Sequence, residues 1–221
     1  TYRTLIKYIL IQTNLLNSRE SSPMVGIQPK KFTFAEYLAY KDDTDRRYEL
    51  IGGELRDLPP ESGLNSYIAR YLLFVLASGG IVPLTQLAIH DCEIQVPILQ
   101  PGDAANRYPD LVVLREEHWE LTQKRLTVTL EMPPPQLVVE VVSPGKTSRE
   151  RDYQRKRAQY EATGIPEYWI VDTQEEQVTV LFLEERQYVE VGVFGEDEAI
   201  LSPTFPELKL TPQQIFNSGL G

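Results

Sequence analysis

Residues 137–172 decide the fold, and they read LVVEVVSPGKTSRERDYQRKRAQYEATGIPEYWIVD. The stretch opens with an apolar run, LVVEVV at 137–142, and closes with another, YWIVD at 168–172. Short apolar runs bounded by turn residues are typical of strands that are buried on both faces. The polar segment between them predicts a helix from about Ser148 to Thr163, because Gly164 follows as an end signal. This order indicates a sheet that is covered by a helix.

Glu140 is the charged residue inside the first apolar run. A buried, ionised carboxylate requires a cationic partner or a metal ion. The alternatives are a pair with an arginine or a place at the strand end that faces water. Asp110 opens another apolar run, YPDLVVL at 108–114, and alone it would be an ordinary turn aspartate. Together the two carboxylates predict a divalent-metal site for cutting phosphodiester bonds.

The predicted helix carries a lysine among aromatic residues and has almost no aliphatic side chains. Tyr153, Lys156 and Tyr160 recur at spacings of three and four residues, so they share one face. Asp152 lies one turn before Lys156 on the same side. If the tyrosines pack on the sheet, the lysine reaches the two carboxylates as a cation. The alternative is that its side chain runs past the tyrosines to solvent.

Composition limits the class of protein. The 221 residues suit one domain with a hydrophobic core, and no apolar run is long enough to cross a membrane. The net charge of −10 argues against a protein that coats nucleic acid nonspecifically. Basic charge concentrates at 146–157, where six basic residues accompany two acidic ones. For the outer arginines of this segment, a solvated helix face is the expected role.

Cys92 is the only cysteine of the chain. A lone cysteine excludes an internal disulfide and fits a protein of the reducing cytoplasm. His90 is close to it in the sequence, but one cysteine and two histidines offer too few ligands for a typical zinc site.

We expect residues 1–23 to be an extension outside the core and residues 24–221 to form a single domain. Met24 begins MVGIQPKKFTFAEYLAY, which looks like a natural protein start. The alternative is that residues 1–23 form an ordinary N-terminal helix.

The rest of the chain contains signals for both helices and strands. The capping-box pattern TFAE at 33–36 predicts a short helix. The two glycines of RYELIGGELRD at 47–57 predict a hairpin, and apolar residues at helical spacing over 64–76 predict an amphipathic helix. Further strands are predicted near 84–90, 93–97 and 110–114, and in the hairpin VTVLFL–QYVEVG. This order predicts an α+β protein, an α/β sandwich around one mixed sheet.

Four blocks of the chain resemble the Uma2 family of restriction-endonuclease-like proteins, in both content and order: RYELIGGEL, YPDLVVL, LVVEVVSP and RDYQRKRAQYEATGIPEYWIVD. This family is common in cyanobacteria and belongs to the PD-(D/E)XK nuclease superfamily. The resemblance covers roughly residues 32–215. It implies a restriction-endonuclease-like core, with a central mixed sheet flanked by helices, and a site that cleaves DNA with Mg²⁺ or Mn²⁺.

By position, the resemblance implies that Asp110 is the PD aspartate and Glu140 the second acidic residue, and that these two hold the metal. It also implies that Glu49, from the RYEL block, joins the site. The superfamily lysine expected two residues after Glu140 is replaced by Val142. The resemblance implies that Lys156, on the following helix, takes the place of this lysine. The predicted catalytic residues are therefore Glu49, Asp110, Glu140 and Lys156.

The leading interpretation is a metal-dependent DNA endonuclease, for which a homodimer would suit double-strand cutting. The alternative is a noncatalytic nuclease-fold module that acts through protein contacts and keeps a vestigial site. The acidic charge and the lack of a recognisable DNA-reading domain favour that alternative. Hydrolysis of another phosphate compound would use the same ligands. Whether Glu49 or Glu54 is the additional acidic residue stays open.

Overall fold

The computed structural model describes residues 30–217 except residues 42, 43, 45 and 144. The predicted extension, residues 1–23, lies outside the described residues, as does its boundary at Met24. From Lys31 onward the chain forms one compact unit. In the described part of the chain, no helix is both long and apolar enough to cross a lipid bilayer.

The first elements follow the cap and turn signals of the sequence. They are helix α1 (Phe34–Ala39), strands β1 (Tyr48–Ile51) and β2 (Glu54–Asp57), and helix α2 (Gly63–Ser78). Thr33 and Glu36 form a complete capping box at the start of α1. The predicted hairpin is confirmed: β1 and β2 are antiparallel, and Gly52 and Gly53 in the turn have φ of 59° and 83°. Only glycine adopts such angles without a steric penalty.

Nine further strands complete the sheets: β3 (Leu87–Ile89), β4 (Glu93–Gln95), β5 (Asn106–Arg107), β6 (Leu111–Val113), β7 (Thr127–Val128), β8 (Leu137–Val142), β9 (Glu167–Asp172), β10 (Gln177–Glu184) and β11 (Gln187–Gly195). Six of them form one sheet in the order β11-β10-β9-β8-β6-β3. Strands β8 and β9 are parallel, whereas the other neighbours are antiparallel. The sheet is therefore mixed, as predicted. Strands β5, β4 and β7 form a separate small sheet.

The remaining helices are α3 (His118–Leu121), α4 (Lys146–Glu150), α5 (Arg157–Thr163) and α6 (Pro212–Asn217). A π-helical turn, Arg151–Lys156, joins α4 to α5. The helix predicted between β8 and β9 is therefore present, but it is a segment of three parts, which we call the helical segment (146–163). It ends at Gly164, whose φ of 84° is the left-handed conformation common at helix ends. Proteins often place π turns at functional sites.

Helices pack on both faces of the six-stranded sheet. On one face, α2 buries Ile68 and Leu72 in a cluster that contains Val139 of β8. On the other face, Tyr160 of the helical segment belongs to a cluster with Val138. Each fully buried aliphatic side chain contributes about 1.5–3 kcal/mol to stability. The α+β fold class predicted from the sequence is confirmed. Strand β8 contributes side chains to the hydrophobic clusters on both faces of the sheet.

Candidate active site

Asp110, which directly precedes β6, lies beside Glu140 of the neighbouring strand β8. The antiparallel pairing of β6 with β8 sets Leu111 opposite Val139, so the residue before Leu111 lies next to the residue after Val139. Because side chains alternate along a strand, both carboxylates project from the face that the helical segment covers. Asp110 Oδ2 accepts a hydrogen bond of 2.6 Å from the backbone N–H of Val141. This bond holds the aspartate against β8.

Lys156 extends from the helical segment toward the carboxylate of Glu140. Its Nζ lies 2.7 Å from Glu140 Oε2 and 3.0 Å from Asp152 Oδ1. Lys156 is only 7% exposed, and the two carboxylates that contact it are almost completely buried. The lysine therefore lies inside the protein and does not extend to solvent.

Tyr160 contributes a contact that the sequence did not predict. Its hydroxyl donates a hydrogen bond of 2.5 Å to Glu140 Oε1, so both oxygens of this carboxylate have a partner. The hydroxyl of Tyr153 instead donates to Asp172 Oδ2 at 3.1 Å. The sequence assigned both tyrosines to apolar packing. A helical spacing shows which face a tyrosine shares, but it does not show which polar group its hydroxyl reaches.

Burial controls the ionisation of Glu140. Loss of water raises its pKa, the ammonium of Lys156 lowers it, and the negative charges of Asp110 and Asp152 raise it again, so that the pKa is about 7. For Lys156, burial lowers the pKa, but attraction to Glu140 and Asp152 outweighs this effect and the pKa is raised. The pair thus combines a lysine whose charged form is favoured by its two carboxylate partners with a carboxylate whose neutral form is favoured by burial.

Glu49 is linked to the site through an arginine. Its Oε1 lies 2.9 Å from Arg107 Nη1, and the same guanidinium donates to Gln159 Oε1 on α5. Glu54 instead pairs with Arg56, and its side chain is 36% exposed whereas that of Glu49 is 16% exposed. Of the two glutamates that the sequence left open, Glu49 is the one that is linked to the helical segment, through Arg107.

The family follows from comparison with known proteins. Residues 34–213 match the profile of Uma2, which is described as "Putative restriction endonuclease". The chain belongs to the Uma2 family. Its fold is similar to the crystal structure of a putative nuclease belonging to DUF820 from Anabaena variabilis ATCC 29413, with a TM-score of 0.58 and 20% identity over 84% of this chain and 98% of that one. Among curated proteins, none matches the chain.

Three arginines of the Uma2 chain's helical segment are ion-paired, which the sequence did not predict. Arg149 pairs with Asp172, and Arg155 Nη2 lies 2.7 Å from Asp103 Oδ1; both aspartates are buried. Arg151 Nε lies 3.1 Å from Asp152 Oδ1. The side chains of these arginines are 33–45% exposed, as the predicted solvated face requires, but each of them also neutralises a buried carboxylate. Pairings of this kind are nonlocal, so charge counting along the chain does not detect them.

His90 is the second site residue of the Uma2 chain that the sequence did not predict. Its Nδ1 lies 3.3 Å from Asp110 Oδ1, because β3 pairs with β6 and brings the two residues together. Glu61 completes a group in which one ligand atom from each residue lies within 4.8 Å of the others. Cys92 is fully buried and its Sγ contacts Glu93 O, so it takes no part in this group. Nothing in the local sequence around His90 indicates the contact.

Proposed function

We propose that this Uma2 protein is a metal-dependent endonuclease that hydrolyses phosphodiester bonds in DNA. One observation carries the proposal: the ammonium of Lys156 lies 2.7 Å from the buried carboxylate of Glu140, beside a second buried carboxylate, Asp110. The description of the family supports the same substrate class. Two carboxylates and a lysine supply a metal site and a cation, which are the groups that phosphodiester hydrolysis requires.

Asp110 and Glu140 are the residues that we propose to hold Mg²⁺ or Mn²⁺. Carboxylate oxygens are ligands that both ions accept. Although the oxygens of Glu140 accept from Tyr160 and Lys156, each oxygen has a second lone pair for a cation. When bound, the ion would lower the pKa of a coordinated water and polarise a phosphoryl oxygen.

Lys156 is the proposed cation of the reaction. Its pKa is raised because attraction to Glu140 and Asp152 outweighs burial, so the side chain keeps its charge at neutral pH. The ammonium can orient the water that attacks phosphorus, or stabilise the negative charge that develops on the phosphate oxygens. Asp152 Oδ1 lies 3.0 Å from the ammonium of Lys156 within the helical segment. One turn further along, the hydroxyl of Tyr160 donates to Glu140.

Glu49 is proposed as a positioning residue. It binds Arg107, whose Nη2 donates a hydrogen bond of 2.7 Å to Gln159 Oε1 on α5. Gln159 also donates to the backbone carbonyls of residues 97 and 104, so this part of the helical segment is fixed on three sides. The position of Lys156, three residues earlier, depends on that anchor.

A cleavage assay tests the proposal. Supercoiled plasmid and single-stranded DNA should be cut by the full chain with Mg²⁺ or Mn²⁺, and EDTA should stop the reaction. Asp110→Asn and Glu140→Gln should abolish cleavage while the far-ultraviolet circular dichroism stays unchanged. Glu120→Gln, which changes an exposed carboxylate, is the matched control and should cut like the wild type. A folded wild type that cuts none of these substrates with either metal would overturn the proposal.

A noncatalytic module is the second candidate, and one observation favours it. Arg149 and Arg155 neutralise buried aspartates, so less positive charge is left to attract phosphates to a chain whose net charge is −10. A folded protein that neither cuts DNA nor binds it in a low-salt gel-shift assay would support this candidate.

The proposed assembly is a homodimer, because cutting both strands of a duplex requires two sites. Light scattering should give twice the mass of the 25.3 kDa chain, and the plasmid should become linear without a long-lived nicked form. A monomer that only nicks plasmid would overturn the dimer and leave the nuclease activity in place.

A further inference from the structure

We infer that Glu61 and His90 form a metal-binding group with Asp110, and that the imidazole makes this site favour Mn²⁺ over Mg²⁺. The inference rests on the proposed function only in sharing Asp110 with it. One oxygen of each carboxylate and one imidazole nitrogen all lie within 4.8 Å of one another. Ligands of one divalent ion lie about 2.0–2.6 Å from it, so any two are at most roughly 5 Å apart. A single ion can therefore contact all three residues.

The backbone holds His90 in this position. Its φ of 60° lies in the left-handed region, which few residues other than glycine adopt and in which histidine, asparagine and aspartate are enriched. The backbone N–H of His90 donates to Asp110 O at 3.2 Å, and its carbonyl accepts from the guanidinium of Arg47. These two contacts hold the backbone of His90 at the end of β3, with its imidazole directed toward Asp110.

The imidazole of His90 lacks a hydrogen-bond partner among the described residues. Both ring nitrogens are buried and make no hydrogen bond there. Nδ1 lies 3.3 Å from Asp110 Oδ1, which is an electrostatic contact without the geometry of a hydrogen bond. Buried polar atoms normally have partners, and a bound cation would supply one. Glu61 is exposed, so the group borders solvent on the side of this carboxylate.

The donor set determines the preferred ion. Mg²⁺ requires near-ideal octahedral oxygen coordination and retains its water, whereas first-row transition ions accept imidazole nitrogen together with carboxylate oxygen. Glu61 and Asp110 alone, which offer only oxygen donors, would hold either ion. Addition of His90 favours the transition ion, and Mn²⁺ is the member of that series that also replaces Mg²⁺ in oxygen-rich sites.

Binding of Mn²⁺ to the full chain, without DNA, tests the inference. Electron paramagnetic resonance should show nitrogen hyperfine coupling from a coordinated imidazole, and competition with Mg²⁺ should give the ratio of the two affinities. The chain has two histidines, and the nitrogens of His118 contact Arg115 N at 3.0 Å and Pro133 O at 2.8 Å. The coupling therefore reports on His90.

His90→Asn is the sharpest variant, because asparagine tolerates a positive φ and offers an amide oxygen in place of nitrogen. It should abolish the nitrogen coupling and lower the Mn²⁺-to-Mg²⁺ affinity ratio at least about tenfold. His90→Gly, which removes the ligand without strain, should weaken Mn²⁺ binding in the same way. Asp91→Asn changes the adjacent exposed carboxylate and is the matched control, which should keep both the coupling and the ratio.

The outcomes separate this inference from the proposed nuclease function. Unchanged Mn²⁺ binding in folded His90→Asn and His90→Gly would overturn the inference, even if the wild type cuts DNA. A wild type that binds no Mn²⁺ at millimolar concentration would also overturn it. Loss of the coupling in His90→Asn would support the inference, even if the wild type cuts no DNA and the nuclease proposal fails.

Discussion

Lys156 Nζ lies 2.7 Å from Glu140 Oε2, although the lysine is on the helical segment and the glutamate is at the centre of β8. The π turn contains both Lys156 and Asp152, which holds the ammonium at 3.0 Å. A π turn adds a residue to a helical turn and so changes the direction of the side chains that follow it. This contact joins the helical segment to β8 at Glu140, two residues before Val142.

Lys156→Ala should lower DNA cleavage by at least about 100-fold, because the reaction loses the cation that stabilises charge on phosphate. Circular dichroism should show a folded protein, since Glu140, with its pKa raised by burial, can take up a proton when its partner is removed. Initial rates of plasmid cutting measure the effect. Lys146→Ala removes an exposed lysine from the start of the same segment and should cut normally.

Introducing a lysine on the strand extends this test. Val142 projects from the same face as Glu140, because the two are separated by one residue of β8. Val142→Lys in the Lys156→Ala background should restore part of the cutting. Normal cleavage by Lys156→Ala alone would remove the lysine from the mechanism.

Glu49→Gln should lower cleavage by about 10- to 100-fold, the usual effect of losing a group that orients a ligand or catalytic residue. The variant loses the charge that holds Arg107, and with it the anchor on Gln159. Glu54→Gln is the matched control, because its pair with Arg56 is at the surface of the same hairpin. Equal losses in both variants would show that hairpin stability, and not the arginine contact, causes the effect.

The pKa of Glu140 makes stability depend on pH. Burial is the main cause that raises this pKa from 4.5 to about 7. A carboxyl with a raised pKa contributes stability that is present below about pH 4.5 and is lost as the pH rises through 7. Glu140→Gln cannot ionise and has no such loss. Its unfolding free energy should therefore increase relative to the wild type between pH 5 and pH 8.

Urea unfolding in the presence of EDTA measures this difference. EDTA is required because a bound cation would favour the ionised carboxylate and oppose the effect. Asp197→Asn, a change in an exposed aspartate, should show no trend over the same range. A constant difference between Glu140→Gln and the wild type would mean that Glu140 ionises normally.

Local patterns predicted much of this fold. The apolar run at 137–142, the glycine pair of the hairpin and the capping box each have a signature within a few residues, and all three elements have the predicted positions. The strand predicted at 84–90 is partly wrong, because Leu84–Gln86 form a 3₁₀ turn after Pro83 and β3 begins at Leu87. Strands β5 and β7 contain two residues each, which is too short to show the alternation of apolar and polar residues that marks a strand in a sequence.

The contacts of the candidate site were less predictable, because they join distant parts of the chain. A carboxylate in an apolar run requires a partner, and that physical rule was sufficient to single out Glu140 and to suggest Lys156. The approach of His90 to Asp110 depends on the pairing of β3 with β6, and no local pattern determines which strands pair. The bond from Tyr160 to Glu140 depends on the depth at which the helical segment packs on the sheet.

Tyr160→Phe should decrease the unfolding free energy by about 1.5–3 kcal/mol, the range for a lost hydrogen bond to a charged group. The ring stays buried and keeps its edge contact with Tyr168 at 5.1 Å between centroids, so the packing is preserved. The variant should also bind Mn²⁺ more weakly at pH 7, because Glu140 loses a donor that favours its ionised form. Urea unfolding and Mn²⁺ titration measure the two effects.

Tyr188→Phe is the control for this prediction. Its hydroxyl is also in the buried cluster, but it donates to a neutral backbone carbonyl, Ile165 O, at 2.8 Å. The loss of stability should therefore be smaller, about 0.5–1.5 kcal/mol, and Mn²⁺ binding should not change. If both variants lose the same stability and both keep their Mn²⁺ affinity, the hydroxyl of Tyr160 supports the core alone and does not tune Glu140.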